Sequence, residues 1–294
     1  MALGFSNRRL RMSGWALQIA GLSVVLIIAA IVLHRLFGLA TPVALNLFVL
    51  AFCGAGLAIL LASCALWRIW RGGFLGTGSA LAAIAVGVAV LMWPISLLPT
   101  IQALPNLNDV STDTTRPPEF VAVAKLRPIG SNAVGYKGAV FATRQSEAYP
   151  DLRTLVVERD AAETVSLVGQ ALRRLRMKVV REDVGSAGVG GIGYVEAVDR
   201  TLVLGFYDDV VVRVASSGRG ALVDVRSASR FGRHDLGSNA SRVRSILTAL
   251  VERIQATVPK KANRKRLRRR GSVPSSRRPT RPNRPTRPSR SNSG

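Results

Sequence analysis

The stretch from Asp224 to Arg242, DVRSASRFGRHDLGSNASR, concentrates the side chains of this chain whose types and spacing could do chemistry. Two constellations stand out. In the first, period-2 alternation sends Val210, Val212, Val214, Val223, Val225 and Ser227 to one side of a hairpin and Arg213, Asp224, Arg226 and Arg230 to the other. Three guanidiniums around one carboxylate leave surplus positive charge on rigid donor forks, which suits a phosphate or carboxylate ligand. The plainer reading is a cross-strand ion-pair network on a wet face, with each pair contributing about 0.2–1 kcal/mol. In the second constellation, Ser227, Ser229, His234 and nearby acids could be drawn as a hydrolase or transferase site. Asp235, however, adjoins His234 in sequence, which seldom permits the orienting hydrogen bond of a triad, and no serine sits in a nucleophile elbow. A structural corner accounts for the same residues. Gly232 and Gly237 supply the turn, and Asp235 with Ser238 or Asn239 satisfies free N–H groups at the start of the last helix.

Other chemistries find little support. The only histidines are His34 and His234, and Cys53 and Cys64 both lie in an apolar run, so the sequence offers no metal cluster and no catalytic residue is assigned. No cofactor is expected. Residues 188–193, GVGGIG, satisfy GxGxxG, but the element that follows reads as a strand, YVEAV, where a dinucleotide fingerprint requires a helix to receive the pyrophosphate.

These residues need a scaffold. RTLVVE at 153–158 reads as a strand; Asp160 with Glu163 starts a helix carrying Val165, Val168, Leu172 and Leu175 on one face. Strands follow at 177–181, 193–198, 209–215 and 221–229, and a closing helix runs from about Ser238 to Ile254 with Val243, Ile246, Leu247, Leu250, Val251 and Ile254 in helical register. The pattern predicts an α+β domain over 104–258, a mostly antiparallel sheet with two helices on one face and the other face free.

Upstream, residues 1–103 form a membrane region. Three apolar runs, about 14–33, 43–66 and 74–98, are each long enough to cross a bilayer as an α-helix, with Trp15, Trp67, Trp70 and Trp93 near their ends. A cleaved leader is disfavoured for the first run because it ends in His34 and Arg35 without a small-residue cleavage site. Ala51, Ala55, Ala58, Ala62 and Ala65 make one small-residue face, and Gly76, Ala80, Ala83 and Gly87 another, so the second and third spans are expected to pack closely. Arg8, Arg9, Arg11, Arg68 and Arg71 would share one side against Arg35 opposite. That asymmetry predicts a cytoplasmic N-terminus in a cell inner membrane, with the domain and C-terminus periplasmic.

The net charge of +24 misleads if read as a whole, because residues 259–294 hold fourteen basic side chains and no acid. This Arg/Pro-rich tail is expected to be disordered, a partner for anionic lipid head groups or envelope polymers. Nucleic acid becomes a partner only in the alternative in which the domain is cytoplasmic.

The run YVEAVDRTLVLGFYDDVVVRV, followed by VDVRSASRFGRHDLGSNASRV and preceded by NDVSTDTTRPPEF, resembles the bacterial and plant family known as domain of unknown function 1499. The resemblance implies one folded domain in a bacterial envelope protein and supplies no activity, cofactor or catalytic residue. The expectation is a membrane-anchored binding protein whose domain takes an anionic ligand or a protein partner at Arg213, Asp224, Arg226 and Arg230.

Overall fold

The computed structural model describes residues 9–185, 191–218 and 220–257. The GxGxxG segment therefore lies partly, and the Arg/Pro-rich tail wholly, outside the described residues.

Three long helices open the chain: α1 (Arg11–Phe37), α2 (Thr41–Gly72) and α3 (Thr77–Ser96). Each carries an 18-residue window of mean hydropathy 2.3 or more, enough in length and composition to cross a membrane. All three pack against one another. The small-residue faces make this possible: Ala51, Ala55, Ala58, Ala62 and Ala65 of α2 are buried, as are Ala80, Ala83 and Gly87 of α3. A methyl group at Gly87 would lie 3.0 Å from the Ala55 carbonyl oxygen and 2.7 Å from Ile59 Cγ1, so the backbones touch where no side chain fits. Ala16 and Ala20 of α1 join the same seam.

A short helix, α4 (Leu98–Ala103), continues from the third span into the domain. The domain contains β1 (Asp109–Ser111), α5 (Ala139–Ala148), β2 (Leu155–Val157), α6 (Ala161–Arg174), β3 (Lys178–Asp183), β4 (Ile192–Arg200), β5 (Tyr207–Ser217), β6 (Gly220–Ser229) and α7 (Ser238–Ala256). The pairs are antiparallel in the order β1-β6-β5-β4-β3, and β2 shares the outer edge of β6 with β1. The β5–β6 register places Arg213 opposite Asp224 and Val210 opposite Ser227. Asp160 caps α6 by accepting from the N–H groups of Ala162 and Glu163.

The helices α6 and α7 cover one face of the sheet, with Val165, Val168, Leu172, Val243, Ile246 and Leu250 meeting Val195, Val210, Val212, Val214, Val223 and Val225. The opposite face differs from expectation: it is not free. Residues 112–137 fold across it, and Phe120 and Val123 pack on Val198, Val211 and Ala228. That covering segment has little regular structure, apart from a 3-10 turn at Val123–Leu126, and so no periodicity to announce it.

Candidate functional site

The cover changes the environment of every arginine on that face. Arg226 is 2% exposed. Its Nε and Nη2 donate to the two carboxylate oxygens of Asp109 at 2.9 and 2.7 Å, and the remaining N–H groups reach the carbonyls of Pro118 and Val134 at 2.9 and 2.8 Å. The guanidinium sits between the rings of Phe120 and Tyr136, at 4.5 and 5.6 Å. Burial, with the nearby Asp109 charge, pushes the Tyr136 phenol up to about 12.

Arg230 donates twice to Oδ1 of Asp209, whose other oxygen accepts from Arg127 Nε at 2.7 Å. Arg213 bridges Asp224 and Asp113 at 2.7 and 2.8 Å. Burial favours the neutral acid at Asp113, but the N–H groups of Arg116 and Thr115 and the Arg213 guanidinium outweigh it and hold that carboxyl below its usual range. The surplus positive charge expected from Arg213, Arg226 and Arg230 is thus met by Asp109, Asp113 and Asp209. Two of these acids, Asp109 of β1 and Asp113 just after it, lie about a hundred residues upstream. Arg213 lines a cleft of about 540 Å³, alongside Arg116, Arg181 and Tyr194. Arg181 is itself paired with Asp183 and Glu196.

The corner is built from the same local chemistry. Gly237 stands at φ 78°, a backbone angle that L-residues rarely adopt, and frees the chain to turn into α7. Asp235 accepts from the N–H groups of Gly237 and Asn239, both at 2.9 Å. The buried Asn239 side chain accepts from Ser227 Oγ and Arg242 Nη1 at 2.8 Å each and donates to Ser229 Oγ and the Asn108 carbonyl at 3.0 and 3.2 Å. Ser238 sends its N–H to the Asp235 carbonyl. Gly232 accepts from Asn108 and Asn132 side chains on its carbonyl.

His234 accepts the Leu236 N–H on Nδ1 at 2.9 Å and faces the Leu104 carbonyl with Nε2 at 3.2 Å. Those contacts fit a neutral ring protonated at Nε2, with both nitrogens engaged by backbone. Ser227 and Ser229 are bound to Asn239, so the residues of a nucleophilic site are not assembled around His234. Arg242, inside the opening stretch of the sequence but unassigned there, ties α7 to Asp199 and Asp208 at 2.7 and 2.6 Å. Burial raises the Asp208 carboxyl against the pull of Arg242.

What the corner does border is space. A cavity of about 630 Å³ lies between it and the span ends, with Leu45, Trp93 and Leu97 on the membrane side and Leu204, Phe206 and Phe231 on the domain side. His234, Asp235 and Ser238 also line it, and its wall is predominantly apolar. The domain is seated here by polar contacts to α1. Arg200 Nη2 donates to the Arg35 carbonyl at 2.6 Å, Arg35 Nη1 donates to the Thr201 carbonyl at 3.1 Å, and the Phe206 ring lies 5.3 Å from His34. Among the described residues no group of three His, Cys, Asp or Glu side chains could hold a metal ion.

Residues 109–250 match the model of a family described as a protein of unknown function, DUF1499. A search of curated proteins returns no match. The matched segment begins at β1 and ends in α7, and so contains both the cover and the corner but not the spans.

Proposed function

We propose that the segment matched by the DUF1499 model works, in this chain, as a membrane-anchored lipid-binding domain, holding one acyl chain of a bilayer lipid in the cavity between its corner and the span ends. The observation that carries this reading is the cavity itself: about 630 Å³, apolar, and walled on one side by Leu45, Trp93 and Leu97 of the spans. Its size falls within the roughly 300–1,000 Å³ of small-molecule sites, and an apolar wall with a few polar groups matches the usual pattern of such sites. A chain entering from the bilayer leaves one apolar medium for another, so selectivity rests on shape and on the polar groups His234, Asp235 and Ser238 near the head of α7.

On the same reading the protein is a binding protein of a bacterial inner membrane, with its domain on the extracytoplasmic side. The support is the distribution of arginine: Arg9, Arg11, Arg68 and Arg71 flank the ends remote from the domain, against Arg35 at the near end. An anionic ligand held by the arginine face has less support, because Arg226 and Arg230 are enclosed and paired.

A photoreactive acyl lipid, incorporated with the full chain into nanodiscs, tests the site. Crosslinks are expected at 201–206 and 231–236, and are expected to fall at least fivefold when Leu45→Trp and Leu204→Trp fill the cavity. Crosslinking that is spread evenly over the spans and indifferent to those substitutions overturns the assignment.

A further inference from the structure

The turn between β4 and β5 has an unusual composition. Tight connections in water draw on Gly, Asn, Asp and Ser, whereas residues 201–206 read TLVLGF. The turn is nevertheless well built. The Thr201 N–H donates to the Phe206 carbonyl at 2.8 Å and the Gly205 N–H to the Thr201 carbonyl at 3.1 Å. The Phe206 N–H reaches Thr201 Oγ1 at 2.8 Å, and Arg200 Nε donates to the Gly205 carbonyl at 3.1 Å. Between these bonds the loop presents Leu202 and Val203 outward, 83% and 63% exposed.

Its location explains what that exposure is for. Arg200 and Arg35 bind the turn to the last helical turn of α1, where Leu36 and Phe37 are themselves 71% and 75% exposed. Leu202 and Val203 also border the cavity walled by Leu45 and Trp93. An apolar tip beside the exposed apolar ends of the spans, with its stem closed by these hydrogen bonds, suits the boundary of a bilayer, where head groups and water reach the backbone of residues 202–204.

We propose that the β4–β5 turn is a fourth membrane-embedded element, a wedge that inserts Leu202 and Val203 into the bilayer beside the C-terminal end of α1. Its occupant is lipid of the same bilayer that holds the spans. Arg200 then has a defined positioning role: it neutralises the free carbonyls at the end of α1 and fixes the depth of the wedge.

Single-cysteine variants of the full chain in liposomes test the depth. Starting from Cys53→Ala and Cys64→Ala, an environment-sensitive fluorophore is placed at Leu202→Cys, Val203→Cys or Ser217→Cys, with native Cys53, a cysteine exposed on the span surface, retained in a separate variant as the in-bilayer reference. Ser217 closes the far end of β5, whose 11 residues span about 36 Å. Lipids brominated on their acyl chains are expected to quench labels at 202 and 203 at least threefold more than at 217, approaching the value at Cys53. Quenching nearer to that at 217 overturns the wedge and leaves a protein partner as the occupant of the tip.

Repeating the measurement with Leu45→Trp separates the wedge from the lipid-filled cavity, because quenching that vanishes in this background reports only the cavity. Footprinting of the unsubstituted protein with a bilayer-confined diazirine avoids any effect of the labels. Modification of 201–206 is expected, and its absence overturns the wedge.

Discussion

Arg226 and Asp109 meet through two parallel hydrogen bonds inside the domain, joining the middle of β6 to β1 across 117 residues of chain. Removing one partner leaves a buried charge without compensation, which costs far more than the pair contributes. Arg226→Ala is therefore expected to destabilise the domain by about 3–5 kcal/mol in chemical denaturation. Pairing it with Asp109→Leu should restore a large part of the loss, and a single substitution with an unchanged midpoint would show that the pair does not hold β1 to β6.

Asn239 uses both ends of its amide, with partners on β6, α7 and the connector before β1. Asn239→Ala strands several buried groups and should cost about 1–3 kcal/mol. Asn239→Asp keeps the volume but turns a donor into an acceptor facing the Asn108 carbonyl, and is expected to be at least as harmful. Thermal melts of the two variants rank them.

Gly87 marks the contact of α2 with α3. Gly87→Ala forces a methyl toward the Ala55 carbonyl, and Gly87→Leu cannot be accommodated without separating the helices. Overpacking of this kind costs about 1–3 kcal/mol. Melting temperatures in micelles should fall in the order unsubstituted, Gly87→Ala, Gly87→Leu, with the β-domain unchanged in near-ultraviolet circular dichroism.

Arg244 on α7 donates to Asp151, and that hydrogen bond holds the carboxyl below its ordinary value of 3.8. A depressed carboxyl stabilises the fold fully above that value and loses its contribution as the pH falls through the folded pKa. Arg244→Ala should raise the Asp151 titration seen by carbon NMR toward the ordinary value and flatten the acid limb of stability below pH of about 4. At neutral pH the effect is expected to be small, because both side chains are substantially exposed.

The parts of this molecule that could be read from sequence are those with a period. The apolar runs, the alanine steps of α2, the stripe Val243 to Ile254 and the alternation of Val210 with Arg213 each repeat at helix or strand spacing. The cover over the arginine face has no such repeat. Phe120, Val123 and Asp113 reach their partners through an irregular path, so the sequence shows three arginines around one acid where the fold brings Asp109, Asp113 and Asp209 to meet them. The Asp208-Asp209 doublet was the available signal: two adjacent acids on a valine-rich strand require cations on both faces of the sheet. Arg242 and Arg230 supply them. The cavity was unreadable for another reason, since its walls come from segments more than a hundred residues apart.

The domain is joined to its membrane region twice. Covalently, α3 runs through α4 into a connector whose Leu107 carbonyl accepts the Asp235 N–H and whose next strand is laid on β6. Non-covalently, the end of β4 is bolted to the end of α1 by Arg200 and Arg35. A single tether would let the sheet swivel like a flag on a pole; two attachments on different helices convert it into a bridge. Any sliding of α1 against α3 along the membrane normal would then arrive in the β4–β5–β6 ladder as shear.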